Sequence, residues 1–205
     1  MDTIFFIALG NFISLVLSLI LLAYFYTLSI LPVKRAAKYG EQEWKKCKVF
    51  RNVSGICEFI SIINMILWIF YPLPIVGDWK ICSNFLISII IGFCIMIPCM
   101  VIFMAGMKAA GSETLTPSKD TKLYGGIYKY IRHPQALGEF TSYIGIGFLL
   151  NSWFLVIMLA AYLVIYTPIM IHYEEADLIR RFGEQYIEYK KKTGALFPKF
   201  RKSSE

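Results

Sequence analysis

Five long apolar runs dominate this 205-residue chain. They cover roughly residues 4–31, 53–76, 81–107, 135–150 and 153–171. A helix needs about 20 mostly apolar residues to cross a bilayer core, and within lipid only helices and closed barrels satisfy the backbone. The runs are about that length, so the expectation is an all-α integral membrane protein of about five transmembrane helices in one domain, 1–205. Hydrophobic residues make up 57% of the chain and charged ones 17%, against about 45–50% and about 25% in soluble domains. The N-terminus lacks a basic leader and a small-residue cleavage site, so the first run reads as a retained helix. Asn151-Ser152 is the only polar break between the last two runs, which predicts a tight helical hairpin. Pro98 lies inside the third run and predicts a kink.

Charge then orients the bundle. Of the 21 lysines and arginines, all but Lys80 fall in residues 33–52, 108–134 and the tail 173–205. Five crossings place these three stretches on one side, and the positive-inside rule makes that side cytoplasmic, with the N-terminus outside. The net charge of +7 therefore needs no nucleic-acid partner; topology and anionic membrane lipids account for it. The five cysteines include no CxxC pair, and most lie in apolar runs, where a thiol acts as a small hydrophobe. No phosphate-binding glycine loop, HExxH or Cys/His metal spacing occurs. In the tail, Leu178, Ile179, Phe182, Tyr186 and Tyr189 recur at three- and four-residue spacing. That predicts an amphipathic cytoplasmic helix bent at Gly183.

Two clusters interrupt the apolar pattern. "GGIYKYIRHP" (125–134) ends the second basic loop and leads into the fourth helix. Pro134 suits a first helical turn, Gly125 and Gly126 allow a tight turn, and Arg132 and His133 lie beside the helix start, a setting for a polar or anionic group. Snorkelling at the interface is the plainer reading. The second cluster, "HYEEADL" (172–178), sets Glu174 and Glu175 where the fifth helix leaves the membrane. The hairpin returns the chain to the face it left, so "RHP" and "YEE" can meet in space. Glu139, one turn into the fourth helix, and Glu58, shallow in the second, are further carboxylates in apolar runs.

Together, "GxYxxxRHPxxxG" and "EExxLxxxFGxxYxxYxxxTGxxxP" resemble the isoprenylcysteine carboxyl methyltransferase family, within a superfamily that includes phospholipid N-methyltransferases and small thiol methyltransferases. The resemblance implies S-adenosyl-L-methionine as methyl donor, bound on the cytoplasmic side. By position its contacts would be Asp120, Thr121, Lys122, Leu123, Tyr128, His133, Pro134, Gln135, Ala136 and Glu174. Arg132 and Glu175 are the candidates for the catalytic centre, and Met170 and Glu139 for the acceptor pocket. Ala136 stands where the family usually has Tyr, and Met170 where the prenylcysteine enzymes have a carboxylate-binding Arg. The acceptor implied is lipophilic: a prenylated cysteine first, a phospholipid amine or a small thiol as alternatives. A non-enzymatic membrane adaptor remains open, as does a likeness to the C-terminal half of the longer membrane sterol reductases.

Overall fold

The structure is a computed structural model that describes residues 3–119 and 125–199. Its helices are α1 (Thr3–Ser29), α2 (Pro32–Tyr39), α3 (Glu43–Leu67), α4 (Phe85–Ala110), α5 (Pro134–Leu149), α6 (Trp153–Phe182) and α7 (Glu184–Lys192), with short 3-10 turns at Gly111–Thr114 and Gly126–Lys129. Among the described residues the one extended pairing is a single bridge between Ile131 and Gly194.

Four helices, α1, α3, α4 and α6, are long and apolar enough to cross a membrane. The expected fourth crossing is α5, whose 16 residues rise about 24 Å at 1.5 Å each, short of a hydrocarbon core of about 30 Å. Four of the five expected crossings are thus helices long and apolar enough to span, and α5, expected as the fourth, is too short by that measure. Lipid-facing residues are plain on α4, where Ile90, Ile97, Val101 and Met104 are all exposed. An all-α membrane fold is what the structure shows.

Three boundaries differ from the hydropathy reading. The second apolar run is displaced: α3 begins at Glu43 and ends at Leu67, not 53–76. Its polar first turns are helical because Glu43 is buried between Arg35 (2.6 Å) and Lys46 (2.6 Å). Much of the basic stretch 33–52 is thus helical too, in α2 and α3. Pro72 and Pro74 follow the end of α3 and cannot join its hydrogen-bond ladder. The last apolar run does not stop at 171: α6 continues to Phe182 and ends at Gly183, whose φ of 58° suits glycine. Pro98 lies within α4 without ending it.

The closest packing is between α4 and α5. A Cβ on Gly138 would lie 2.4 Å from the Cys99 carbonyl oxygen and 2.6 Å from the Phe103 nitrogen. Small residues matter here because lipid is as apolar as the side chains, so association depends on close backbone approach. Away from the basic stretches, the Asn151 carboxamide accepts from the Ile81 and Cys82 amides and donates to the Cys82 carbonyl, each at 3.0 Å. That ties the 68–84 connection to the α5–α6 hairpin. At the basic end the Asp177 carboxylate of α6 accepts from Val33 N (3.1 Å) and Lys34 N (2.8 Å). A carboxylate at a helix N-terminus is favoured by the unpaired amides and the dipole, so α2 is pinned against α6.

Candidate functional site

The segment that enters α5 is held by the tail. Arg132 N donates to Gly194 O (2.9 Å) and His133 N to Ala195 O (3.0 Å). Gly194 is needed at this contact: a Cβ there would lie 1.7 Å from the Phe197 carbonyl oxygen. On the other side, the α5–α6 hairpin brings the turn of α6 carrying Glu174 and Glu175 back to the start of α5.

Arg132, His133 and Glu175 then form a buried hub. Glu175 Oε1 accepts from Arg132 Nε and Nη2, both at 2.7 Å, and Glu175 Oε2 pairs with Lys190 Nζ at 2.6 Å. Arg132 Nη1 donates to the Thr193 carbonyl and, at 3.3 Å, to that of Lys190. All three guanidinium nitrogens are therefore engaged within the protein. His133 bridges the two glutamates, with Nδ1 2.9 Å from Glu174 Oε2 and Nε2 3.1 Å from Glu175 Oε1. Burial opposes charge on this imidazole, but the two carboxylates outweigh it and raise its pKa to about 9. At neutral pH the ring is protonated and both nitrogens donate.

Beside the hub lies a pocket. Its walls include Tyr128, His133, Gln135, Ala136, Met170 and Glu174, with Tyr26 from α1, Ile30 just after it, and Tyr186 and Tyr189 from α7. The start of α5 supplies a helix N-terminus to this wall. Gln135 Nε2 bonds Tyr128 OH and Thr114 Oγ1, both at 3.1 Å, and Tyr189 OH donates to the Tyr128 carbonyl at 2.6 Å. A second, shallower groove runs between α5 and α6 along Leu137, Phe140, Leu163 and Val164. It reaches Glu175 and Lys190 at the basic end and shares Ala136 with the first pocket.

Six of the residues expected from sequence at a donor or acceptor site thus share one pocket: Tyr128, His133, Gln135, Ala136, Met170 and Glu174. Arg132 lies in its wall but faces the tail and Glu175. Pro134 is the buried first residue of α5. Glu175 reaches the second groove. Glu139 lies one turn further along α5 and lines neither, and Glu58 accepts from Tyr143 OH at 3.2 Å. Asp120, Thr121, Lys122 and Leu123 lie outside the described residues. Sequence reasoning missed Tyr26, Arg51, Glu113, Asp177 and Arg181 as pocket residues. For Asp177 and Arg181 a signal existed: they follow Glu174 by three and seven positions, which is one helix face.

An all-α membrane bundle with a buried Arg–His–Glu hub at its basic end is the class that fold and site define. Residues 87–185 match the family model described as phospholipid methyltransferase. The chain is 34% identical over 94 residues to methanethiol S-methyltransferase 1 of Bradyrhizobium diazoefficiens, covering 43% of this chain and 29% of that protein. It is 34% identical over 73 residues to protein-S-isoprenylcysteine O-methyltransferase of Schizosaccharomyces pombe, covering 36% and 31%. It is 35% identical over 83 residues to methanethiol S-methyltransferase of Pseudomonas deceptionensis, covering 38% and 28%. The matched part spans less than a third of each of these relatives. Over these stretches, each just under half of the chain or less, it is similar to phospholipid, isoprenylcysteine and methanethiol methyltransferases alike.

Proposed function

We propose that this chain transfers a methyl group from S-adenosyl-L-methionine to a lipophilic acceptor, at the cytoplasmic face of a membrane. The observation that carries the reading is the junction at Ala136. There a polar pocket lined by Tyr128, His133 and Glu174 meets an apolar groove between α5 and α6. One side suits a water-soluble donor and the other an acceptor that arrives through lipid. The family match and the three named methyltransferases support the same chemistry.

The pocket suits the donor by the chemistry of its groups. Glu174 keeps one carboxylate oxygen on His133 and is 29% exposed, so it remains available to a cation. Tyr128, Tyr186 and Tyr189 line the pocket, and aromatic faces attract cationic groups. Bound S-adenosyl-L-methionine would supply an electrophilic methyl group. The protein's share is alignment and exclusion of water, since a single displacement depends above all on holding the two partners in line. Arg132 and Glu175 act in this reading as positioning residues: they lock "RHP" against the tail and orient His133, which holds Glu174. Glu139 lies one turn deeper on α5 than the shared wall at Ala136 and lines neither cavity, so an acceptor role for it would need a chain that reaches beyond them.

A prenylated cysteine is the leading acceptor, in line with the relative named for it. One observation favours a phospholipid amine as a second reading: the residue one turn before Glu174 is the buried, uncharged Met170, which offers no partner to a substrate carboxylate. Purified protein given donor labelled in its methyl group, with N-acetyl-farnesylcysteine, phosphatidylethanolamine or methanethiol, tests this. Label in either lipophilic product supports the proposal and names the acceptor class. Label in methanethiol alone rejects a lipophilic acceptor, and no label in any product rejects methyl transfer.

A further inference from the structure

We infer that Arg181 is the anchor of an anion subsite in this pocket, taking a carboxylate or phosphate carried by a bound substrate. The inference rests on the donor-and-acceptor reading above. Arg181 lies in the last turn of α6, two helical turns beyond Glu174, and lines the pocket. Its side chain is 9% exposed, and Nη1 bonds Glu113 Oε1 at 2.8 Å. Nε and Nη2 are buried and, among the described residues, have no hydrogen-bond partner. Buried polar groups are nearly always paired, and an unpaired cationic one calls for an explanation. The guanidinium packs 5.5 Å from the Trp44 ring and 5.0 Å from the Phe182 ring, which favour it where it is.

The unpaired edge is the one that recognises carboxylates elsewhere in this protein. Arg35 directs Nε (2.9 Å) and Nη2 (2.6 Å) to Glu43 Oε2. Arg132 directs the same two nitrogens to Glu175 Oε1, both at 2.7 Å. In Arg181 that fork stands in a pocket wall instead, and its geometry matches two oxygens of a carboxylate or phosphate. Arg51 lies in the same wall and spends Nη1 on the neutral carbonyls of Glu113 (2.8 Å) and Thr114 (3.1 Å). The nearby carboxylates are engaged: Glu113 with Arg181 and Ser118 N, and Asp177 with the start of α2. The cations of the hub are engaged as well, since His133 has both ring nitrogens on glutamates and Arg132 has all its nitrogens in use. An anionic group bound in the pocket would gain two hydrogen bonds by reaching the fork of Arg181, with Arg51, bonded only to neutral carbonyls and the Ser29 hydroxyl, as a second cation in the same wall.

That group has two sources, the donor's own carboxylate or an acidic group of the acceptor, and the test separates them. Calorimetry in detergent compares S-adenosylhomocysteine with decarboxylated S-adenosylmethionine, for wild type, Arg181→Gln and Arg181→Lys. Turnover is measured with N-acetyl-farnesylcysteine and phosphatidylethanolamine. If the donor's carboxylate sits on Arg181, Arg181→Gln weakens S-adenosylhomocysteine tenfold or more and leaves the decarboxylated analogue unchanged. If the acceptor supplies the anion, donor affinity holds while its KM rises tenfold or more at unchanged kcat. Arg181→Lys keeps the charge without the fork and should rescue little; it also covers the case in which Arg181→Gln does not fold. Arg180→Gln, at the exposed neighbour, should change neither quantity. Unaltered affinities and KM values in folded Arg181 variants overturn the inference. A wild-type protein that binds no S-adenosylhomocysteine and methylates neither acceptor is a different result: it removes the reading on which the subsite rests, and the subsite with it.

Discussion

Replacing Glu175 by Gln keeps the size of the side chain and removes its charge. In the structure this one carboxylate takes two contacts from Arg132 at 2.7 Å, one from His133 at 3.1 Å and one from Lys190 at 2.6 Å. The three cations do not lose equally. Lys190 is 46% exposed and can return to water, so its pair is worth roughly 0–1 kcal/mol. Arg132 and His133 are 9% and 5% exposed and stay buried with one partner gone. Removing one member of a buried ion pair costs roughly 3–5 kcal/mol, mostly for the charge left behind, so Glu175→Gln is expected to lose about that much stability. Mixed-micelle unfolding by SDS, followed by tryptophan fluorescence, measures it. The double variant Arg132→Gln/Glu175→Gln should cost less than the sum of the two single changes by roughly 2 kcal/mol, because the two residues share the interaction. The same change at Glu174, which is more exposed and holds only His133, should cost less than Glu175→Gln. A Glu175→Gln protein within about 1 kcal/mol of wild type, or additive single variants, would refute the hub as the element that holds this end of the bundle together.

Three further outcomes follow from the geometry. His133 is held at a pKa of about 9, above the 6.5 or so of an unfolded imidazole. The stabilisation is therefore fully present below about pH 6.5 and lost as pH rises through about 9; the difference of about 2.5 pH units corresponds to roughly 3 kcal/mol. Unfolding measured from pH 6 to 10 should show this loss in wild type and not in His133→Gln. Gly138→Val should prevent the close α4–α5 contact and reduce folded yield in membranes, since a Cβ there already lies 2.4 Å from a backbone oxygen; a variant of wild-type yield and melting behaviour would show that the helices can separate freely. In a cysteine-free background, a cysteine at Gly77 should react with an impermeant reagent from outside and one at Ser118 only after permeabilisation; the reverse pattern inverts the topology.

Hydropathy located the lipid-facing stretches of this chain better than it located helices. The apolar run of the second crossing covers 53–76, yet helix α3 spans Glu43–Leu67. Its start depends on Glu43 meeting Arg35 from α2, a contact that no local pattern encodes. Its end was legible in principle, because Pro72 and Pro74 mark where a helix cannot continue. The break at Gly183 was readable because glycine takes a positive φ without strain. For the site, the hairpin argument correctly brought "RHP" near "YEE": His133 and Glu174 are 2.9 Å apart. What stayed hidden was the tail. Thr193, Gly194 and Ala195 engage Arg132 and His133 through backbone carbonyls, and backbone partners leave no trace in residue type. That is why Arg132, by sequence a candidate for the catalytic centre, has all its guanidinium nitrogens engaged within the protein. Arg181 was overlooked for the opposite reason: among so many basic residues at one end of the bundle, its burial could not be told from sequence.

The account stands or falls on whether a methyl donor binds against Glu174. Calorimetric titration of S-adenosylhomocysteine into detergent-purified wild type and Glu174→Gln measures this without any assumption about the acceptor. Wild type should show saturable binding to one site per chain. Glu174→Gln should bind more weakly by about 1.5–3 kcal/mol, the range for a hydrogen bond to a charged group, or roughly 10- to 150-fold. Absence of saturable binding to wild type, or equal affinity in the two proteins, would contradict it.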